Sequence, residues 1–384
     1  MRHLRIAILA HSTNPRGGVV HALALGDALT ELGHEVVVHA PDAAGEGFFR
    51  PTLCETRCVP ASPAGPGTLA LVKARVDDYL AYFEQPRARE FDVFHAQDGI
   101  SGNALATLAA RGLIPGFVRT VHHIDDFADA ELAALQRRSI VAAHGHAVVS
   151  PFWAEVLDDA FGLAATIVGN GVDLERFTPR PGPGDLALRQ ELWLGHGPVF
   201  LAIGGVEERK NTIGILQAFA QVHAWRGDAQ LVIAGGASLL DHGRYQARFA
   251  AMAAALNLPE PAVRRIGPVA DADMPALYRN ADALVFPSLK EGFGLVVLEA
   301  MASGVPVVLA MQRPFTDLFG KDDVLWCNPE NTASIADAMM LATSASSRAN
   351  SASGGPAIAR RFNWAAVARA HLSLYAAEKA FAHA

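Results

Sequence analysis

Two carboxylates frame the chemically richest stretch of this 384-residue chain. Glu291 precedes Gly292-Phe293-Gly294-Leu295, and Glu299 follows it. The apolar run Ala283–Phe286 before them reads as a buried strand, Leu295–Ser303 as a short helix ended by Gly304 and Pro306, and Val305–Ala310 as the next strand. Glycines at such a strand-to-helix turn let a ligand approach the backbone closely. The free N–H groups at the helix start favour an anion such as phosphate. A carboxylate one turn further in accepts hydrogen bonds from sugar hydroxyls. The alternative is an ordinary βα turn carrying surface acids.

Three further groups have comparable potential. Gly204-Gly205-Val206-Glu207-Glu208-Arg209-Lys210-Asn211 follows the strand Val199–Ile203, and Gly235-Gly236 follows the strand Leu231–Ala234. Strand-end loops of a doubly wound sheet collect on one edge. Arg209 and Lys210 beside three Gly-bearing loops therefore suit a diphosphate, the alternative being that Lys210 lies on a solvated helix. Gly17 and Gly18 close the loop Asn14-Pro15-Arg16-Gly17-Gly18. This is not G-x-G-x-x-G, so a dinucleotide fingerprint is absent, although paired glycines at a helix start still suit an anion. His122 and His123 end the strand Phe117–Val121, where open α/β sheets keep their ligand crevice. Adjacent strand residues face opposite ways, which argues against a metal pair.

The elements that position these groups alternate along the chain. The first half reads as strand Leu4–Ala10, helix Val19–Leu32, strand Val36–His39, helix Leu69–Phe83, strand Asp92–His95, helix Ala104–Ala110, strand Phe117–Val121, helix Glu131–Ala143, strand His146–Val149, helix Pro151–Phe161 and strand Ala165–Val168. Residues 41–67, rich in Pro and Gly, read as a surface excursion with one strand-like piece at Leu53–Val59. The second half continues with helix Thr212–His223, helix Tyr245–Leu256, strand Val263–Ile266, helix Met274–Arg279 and an Ala-rich tail helix over Asn363–His383. The fold class expected is α/β with two Rossmann-like doubly wound domains: residues 1–169 joined by the C-terminal helix 363–384, a Pro/Gly-rich linker 170–183, and residues 184–362.

Composition narrows the partners. Apolar residues make up 51% and charged residues 18%, as in a globular protein with large buried sheets. Residues 1–170 carry 13 Lys+Arg against 19 Asp+Glu (net −6), and the remainder carries 19 against 20 (net −1). Neither half has the basic surplus that a nucleic-acid backbone requires, and charge does not indicate a peripheral membrane contact. No run of about 18 apolar residues occurs, so no transmembrane segment is expected. The residues 2–10 resemble a signal peptide only superficially, since Arg5 interrupts them and no cleavage-type end follows. Cys54, Cys58 and Cys327 make an odd number with no zinc-type spacing, which reads as reduced thiols in a cytoplasmic protein. No metal constellation is visible.

Taken together, these residues resemble the retaining glycosyltransferases of family 4, of the glycogen and sucrose synthase-like superfamily with the GT-B fold. The carrying motif is Glu291-Gly292-Phe293-Gly294-Leu295 to Glu299, the family's E-x7-E element, in the setting Pro287-Ser288 to Val305-Pro306. Asn170-Gly171-Val172-Asp173 with Phe177, Gly17-Gly18, His122 after Thr120, and Lys210 after Gly204 support it, in the family's order over nearly the whole chain. The resemblance implies two domains facing a central cleft and a nucleotide-sugar donor as co-substrate, with no metal or other cofactor. It implies that Glu299 holds the donor ribose and Glu291 the hydroxyls of the donor sugar. The amides of Phe293 to Leu295, including Gly294, and the Lys210 side chain would hold the diphosphate, with the loop from Gly267 to Val269 flanking the base. Gly17 and Gly18 would approach the phosphates or sugar, His122 would face the reacting centre, and the tail helix would return to the first domain. Retention by front-face attack is implied, with no protein nucleophile. The chain departs from the family twice: Gly205 stands where an Arg is common, and His123 where an acid is common. Two other readings share the fold: a nucleotide-sugar 2-epimerase and a non-catalytic nucleotide-sugar-binding protein. Base, sugar and acceptor are not legible at this level.

Overall fold

The structure, a computed structural model, describes residues 3–236 and 242–382. The last two residues of the expected tail helix region, 383–384, and the start of the expected first segment, residue 2, lie outside the described residues. The chain divides into two compact units, Met1–Asn170 with Trp364–Ala384, and Gly171–Asn363.

The first unit runs β1 Arg5–Leu9, α1 Gly17–Glu31, β2 Glu35–Asp42, β3 Glu55–Pro60, α2 Thr68–Phe83, β4 Val93–Ala96, α3 Gly99–Ala110, β5 Val118–Val121, α4 Ala130–Val141, β6 Gly145–Val148, α5 Pro151–Phe161 and β7 Thr166–Ile167. Its strands form one parallel sheet in the order β3-β2-β1-β4-β5-β6-β7. The central strands are buried along almost their whole length because helices cover both faces, which is why they read as continuous apolar runs. One apolar cluster joins Ile6, Ile8, Leu23 and Leu29 to Val367, Leu372 and Tyr375. The other joins Ala7 and Leu9 to Tyr79, Phe83, Phe94 and Leu105. The piece expected as a surface excursion supplies β3, an edge strand pairing Val37–Asp42 with Glu55–Pro60, and it stays largely exposed.

The second unit runs α6 Asp185–Glu191, β8 Val199–Ile203, α7 Thr212–Trp225, β9 Gln230–Ala234, α8 Gly243–Leu256, β10 Val263–Gly267, α9 Met274–Arg279, β11 Ala283–Phe286, α10 Leu295–Ala302, β12 Val307–Ala310, α11 Phe315–Leu318, β13 Leu325–Cys327, α12 Thr332–Ala342 and α13 Ala345–Ala359. Its parallel sheet has the order β10-β9-β8-β11-β12-β13. The final helix, α14 Trp364–Ala382, belongs to the first unit, where it packs on α1. In each sheet the strand order reverses once, between β1 and β4 and between β8 and β11. The crevice outside the carboxyl ends of the strands at such a point is where doubly wound sheets bind ligands.

Four helices and one strand of the second unit, α6, α11, α12, α13 and β13, lie beyond the sequence expectation. α13 is the instructive case, since Ala345–Ala359 holds four serines, two glycines and Pro356 and no apolar stripe. Small size holds it in place. A Cβ on Gly355 would lie 2.6 Å from the carbonyl oxygen of Met301 on α10, so the two backbones meet as only a glycine allows.

Candidate active-site residues

In the second unit the loops after β8 and β11 are tied together by backbone. The N–H groups of Leu289 and Lys290 both donate to the Arg209 carbonyl, at 2.8 and 3.4 Å. Three side chains converge there. Lys210 Nζ donates to Glu291 Oε2, and Arg209 Nη1 reaches the same oxygen at 3.5 Å. Glu291 Oε1 also accepts from the Gly292 N–H at 3.3 Å. Lys210 Nζ lies 4.4 Å from the Phe286 ring centroid on β11, and its stem packs over Gly204. Burial lowers the Lys210 pKa, against the pull of Glu291 and with the push of Arg209. Two cations and the Glu291 carboxylate therefore sit at the switch point, shortly before the start of α10. An incoming polyanion would find both cations on Glu291, with Arg209 held by a second carboxylate as well.

Arg209 is fixed from behind by Glu207, a buried carboxylate whose Oε2 lies 3.0 Å from Arg209 Nε. Sequence reading passed over Glu207; its signal was its place two residues before Arg209 in the same loop. Gly205 adopts φ +74°, and a Cβ there would lie 2.9 Å from the Gly236 carbonyl oxygen and 3.1 Å from that of Gly235. No arginine fits that position, so the loop's cations are the two at its far end.

Glu299 lies one turn inside α10 and accepts a 2.6 Å hydrogen bond from Tyr278, a wholly buried residue of α9. Burial and then the neighbouring Glu299 carboxylate raise the Tyr278 hydroxyl well above its ordinary value, so it stays protonated and donates. Nothing in the spacing between Tyr278 and Glu299 marks this pair in the sequence. Phe293 is buried edge-to-face on Phe362, with ring centroids 5.9 Å apart. Gly294 starts α10 at φ +90° and Leu295 is its first residue. Gly236 and Gly267 help line a cavity of about 500 Å³ with Gly205, Val206, Ile233, Gly235, Gln246 and Arg265. Val269 is half-buried two residues beyond β10.

In the first unit, Gly17 and Gly18 are the first two residues of α1. A Cβ on Gly18 would meet the His122 ring at 3.8 Å, so these two expected residues are neighbours. His122 follows β5 directly, and its Nε2 donates to Gln97 Oε1 at 2.9 Å. Burial, with His21, Arg119, His123 and His95 nearby, holds His122 neutral, with its pKa well below the ordinary histidine range. His123 is more exposed and lies 3.3 Å from Asp125. His21 packs edge-on against His122 at 4.8 Å and donates from Nδ1 to Asn170 Oδ1 at 2.6 Å. Among the described residues no group of three or more His, Cys, Asp or Glu is placed to hold a metal ion, and no helix is long and apolar enough to cross a membrane.

Two parallel Rossmann-like units with loops of this kind at their switch points define the GT-B class of protein. The model of Glycosyltransferase Family 4 matches residues 15–176, and that of glycosyl transferases group 1 matches residues 187–353. A D-inositol 3-phosphate glycosyltransferase of Xylanimonas cellulosilytica is 30% identical over 429 residues, covering 97% of this chain and 96% of that protein. One of Salinispora tropica is 30% identical over 320 residues; that match covers 75% of this chain and spans only 64% of the relative's length. The crystal structure of Anabaena HepE in complex with UDP and glucose shares the fold at a TM-score of 0.76 and 21% identity, covering 97% of this chain and 99% of that one. The chain belongs to glycosyltransferase family 4.

Proposed function

We propose that this protein is a glycosyltransferase that moves a sugar from a nucleotide-sugar donor to an acceptor hydroxyl, with retention at the anomeric carbon and without a metal ion. The observation that carries this reading is the convergence of Lys210 and Arg209 on Glu291 beside the start of α10. A leaving nucleoside diphosphate needs its charge neutralised where it develops. Lys210, Arg209 and the first amides of α10 supply that from the protein itself. Glu291, drawn off the cations when the diphosphate arrives, is then free to take hydroxyls of the donor sugar. Glu299, fixed by Tyr278, takes the ribose. His122, kept neutral, faces the reacting sugar. The acceptor oxygen bonds to the anomeric carbon, the bond from that carbon to the diphosphate oxygen breaks, and the acceptor proton leaves with the diphosphate. The relatives' name makes D-inositol 3-phosphate the first acceptor to try. Three unpaired cysteines, two of them buried, suit the cytoplasm.

The test is incubation with UDP-, GDP-, ADP- and dTDP-sugars, with and without D-inositol 3-phosphate and other polyols, read by released nucleotide and by NMR of the product anomer. Release with an α-linked product from an α-linked donor is expected. No nucleotide released from any donor overturns the reading; an isomerised sugar formed without acceptor marks an epimerase instead, and an inverted product removes retention.

A further inference from the structure

Behind His122 lies a buried polar chain that the proposed reaction does not use. Gln97, the first residue after β4, is only 2% exposed. Its Oε1 accepts from His122 Nε2 at 2.9 Å, and its Nε2 lies 3.3 Å from His95 Nε2. His95, wholly buried on β4, has its Nε2 at 2.7 Å from Thr120 Oγ1 and its Nδ1 at 2.7 Å from the Tyr375 hydroxyl on α14. We propose that Gln97 is the positioning residue of the reaction, setting the proton of His122 on Nε2 and fixing the ring, with His95 and Tyr375 holding Gln97 in turn. The inference rests on His122 facing the reacting centre, as proposed above.

The directions follow from what each atom can do. A carboxamide oxygen only accepts, so the His122 proton it receives is on Nε2 and Nδ1 keeps its lone pair. The Gln97 amide donates to His95 Nε2, as the Thr120 hydroxyl also can, so the His95 proton is on Nδ1 and goes to the Tyr375 oxygen. A buried amide fastened at both ends cannot turn over without stranding a partner, at a cost that low dielectric makes large. The ring is thereby held in one tautomer and one orientation. The remaining groups around it fit this assignment. His21 on α1 carries its own proton on Nδ1, toward Asn170, and its ring stands nearly perpendicular to that of His122. Arg119 on β5 is a cation that opposes protonation of His122, and His371 on α14 packs 5.3 Å from the His95 ring.

Two substitutions separate positioning from simple packing. Gln97→Leu removes the acceptor, and kcat should fall roughly 10- to 100-fold with donor KM little changed, taking the size of effect seen when a metal-binding histidine loses its orienting partner. Gln97→Glu keeps the acceptor for His122 but loses the donor to His95, so kcat at high pH should recover only part of the Gln97→Leu loss. The new carboxylate favours the imidazolium of His122, so the acid limb of the pH–rate profile should move upward by roughly 1–3 units. Ring-nitrogen NMR of the intact protein reads the tautomer without turnover: Nε2–H on His122 in the wild type, and a mixture in Gln97→Leu. An Nδ1–H tautomer in the wild type overturns the proposal. So do unchanged kcat and an unmoved acid limb in both variants while His122→Ala is inactive. Wild-type activity in His122→Ala overturns instead the placing of His122 at the reacting centre, and with it the catalytic half of the inference.

Discussion

Removing Lys210 strikes a group that serves both the resting ion cluster and the proposed leaving diphosphate. Its Nζ holds Glu291 Oε2, and the other cation on that oxygen is Arg209 at 3.5 Å. For the reaction, losing one preorganised group aimed at developing charge costs about 3 kcal/mol, a fall in kcat of roughly 100-fold. For the fold, stripping a buried carboxylate of all compensation costs about 3–5 kcal/mol. Glu291 keeps Arg209 and the Gly292 N–H, so Lys210→Ala should destabilise by less, roughly 1–3 kcal/mol. The two effects part company in the double variant Lys210→Met with Glu291→Gln, which removes both charges: its urea midpoint should recover toward that of the wild type while turnover stays low. A continuous assay of released nucleotide and a urea melt suffice. Turnover near the wild-type rate in Lys210→Ala would refute the phosphate role, and turnover that returned with stability in the double variant would show that the loss came from unfolding alone.

Three other consequences can be measured. Tyr278→Phe frees Glu299 from its 2.6 Å partner and should weaken nucleotide binding roughly 10-fold, about 1.4 kcal/mol, with kcat less affected; unchanged affinity removes Tyr278 from the donor site. Burial lowers the pKa of His21 to about 4 and those of His39 and His371 to about 3. Between the ordinary value near 6.5 and those folded values the unfolded chain binds more protons, so stability is full above about pH 6.5 and falls as the pH drops toward 4, by on the order of 3 kcal/mol from His21 alone. Urea midpoints equal at pH 7.5 and pH 5 would contradict this. Gly205→Arg forces a side chain at φ +74° against two carbonyls and should lower the melting temperature without raising activity, the left-handed backbone alone costing about 1–2 kcal/mol; an unchanged melting temperature would mean that the loop relaxes.

The two sheets were legible because parallel strands buried on both faces leave uninterrupted runs such as Ile6–Leu9 and Ala283–Phe286. The candidate site residues lie in loops that begin at strand ends: His122 follows β5 directly, Glu291 lies five residues beyond β11 and Lys210 seven beyond β8. What escaped was whatever depends on packing between distant segments. α13 has neither propensity nor stripe, and its backbone approach to Met301 is invisible before folding. Tyr278, Glu207 and Gln97 hold the expected residues from behind, and a hydrogen-bond partner 21 residues away, as Tyr278 is from Glu299, has no fixed spacing to betray it. The departure at Gly205 was readable, but its reason, two carbonyls within about 3 Å of an absent Cβ, was not.

The central claim is that the loops after β8 and β11 hold the diphosphate of a nucleotide sugar. Isothermal titration of the wild-type protein, Lys210→Ala and Glu299→Ala with UDP-, GDP-, ADP- and dTDP-sugars tests it directly. The account predicts saturable one-site binding of at least one donor by the wild type, weakened about 10-fold or more in both variants. Binding that both substitutions leave intact, or no binding of any nucleotide sugar, would contradict it.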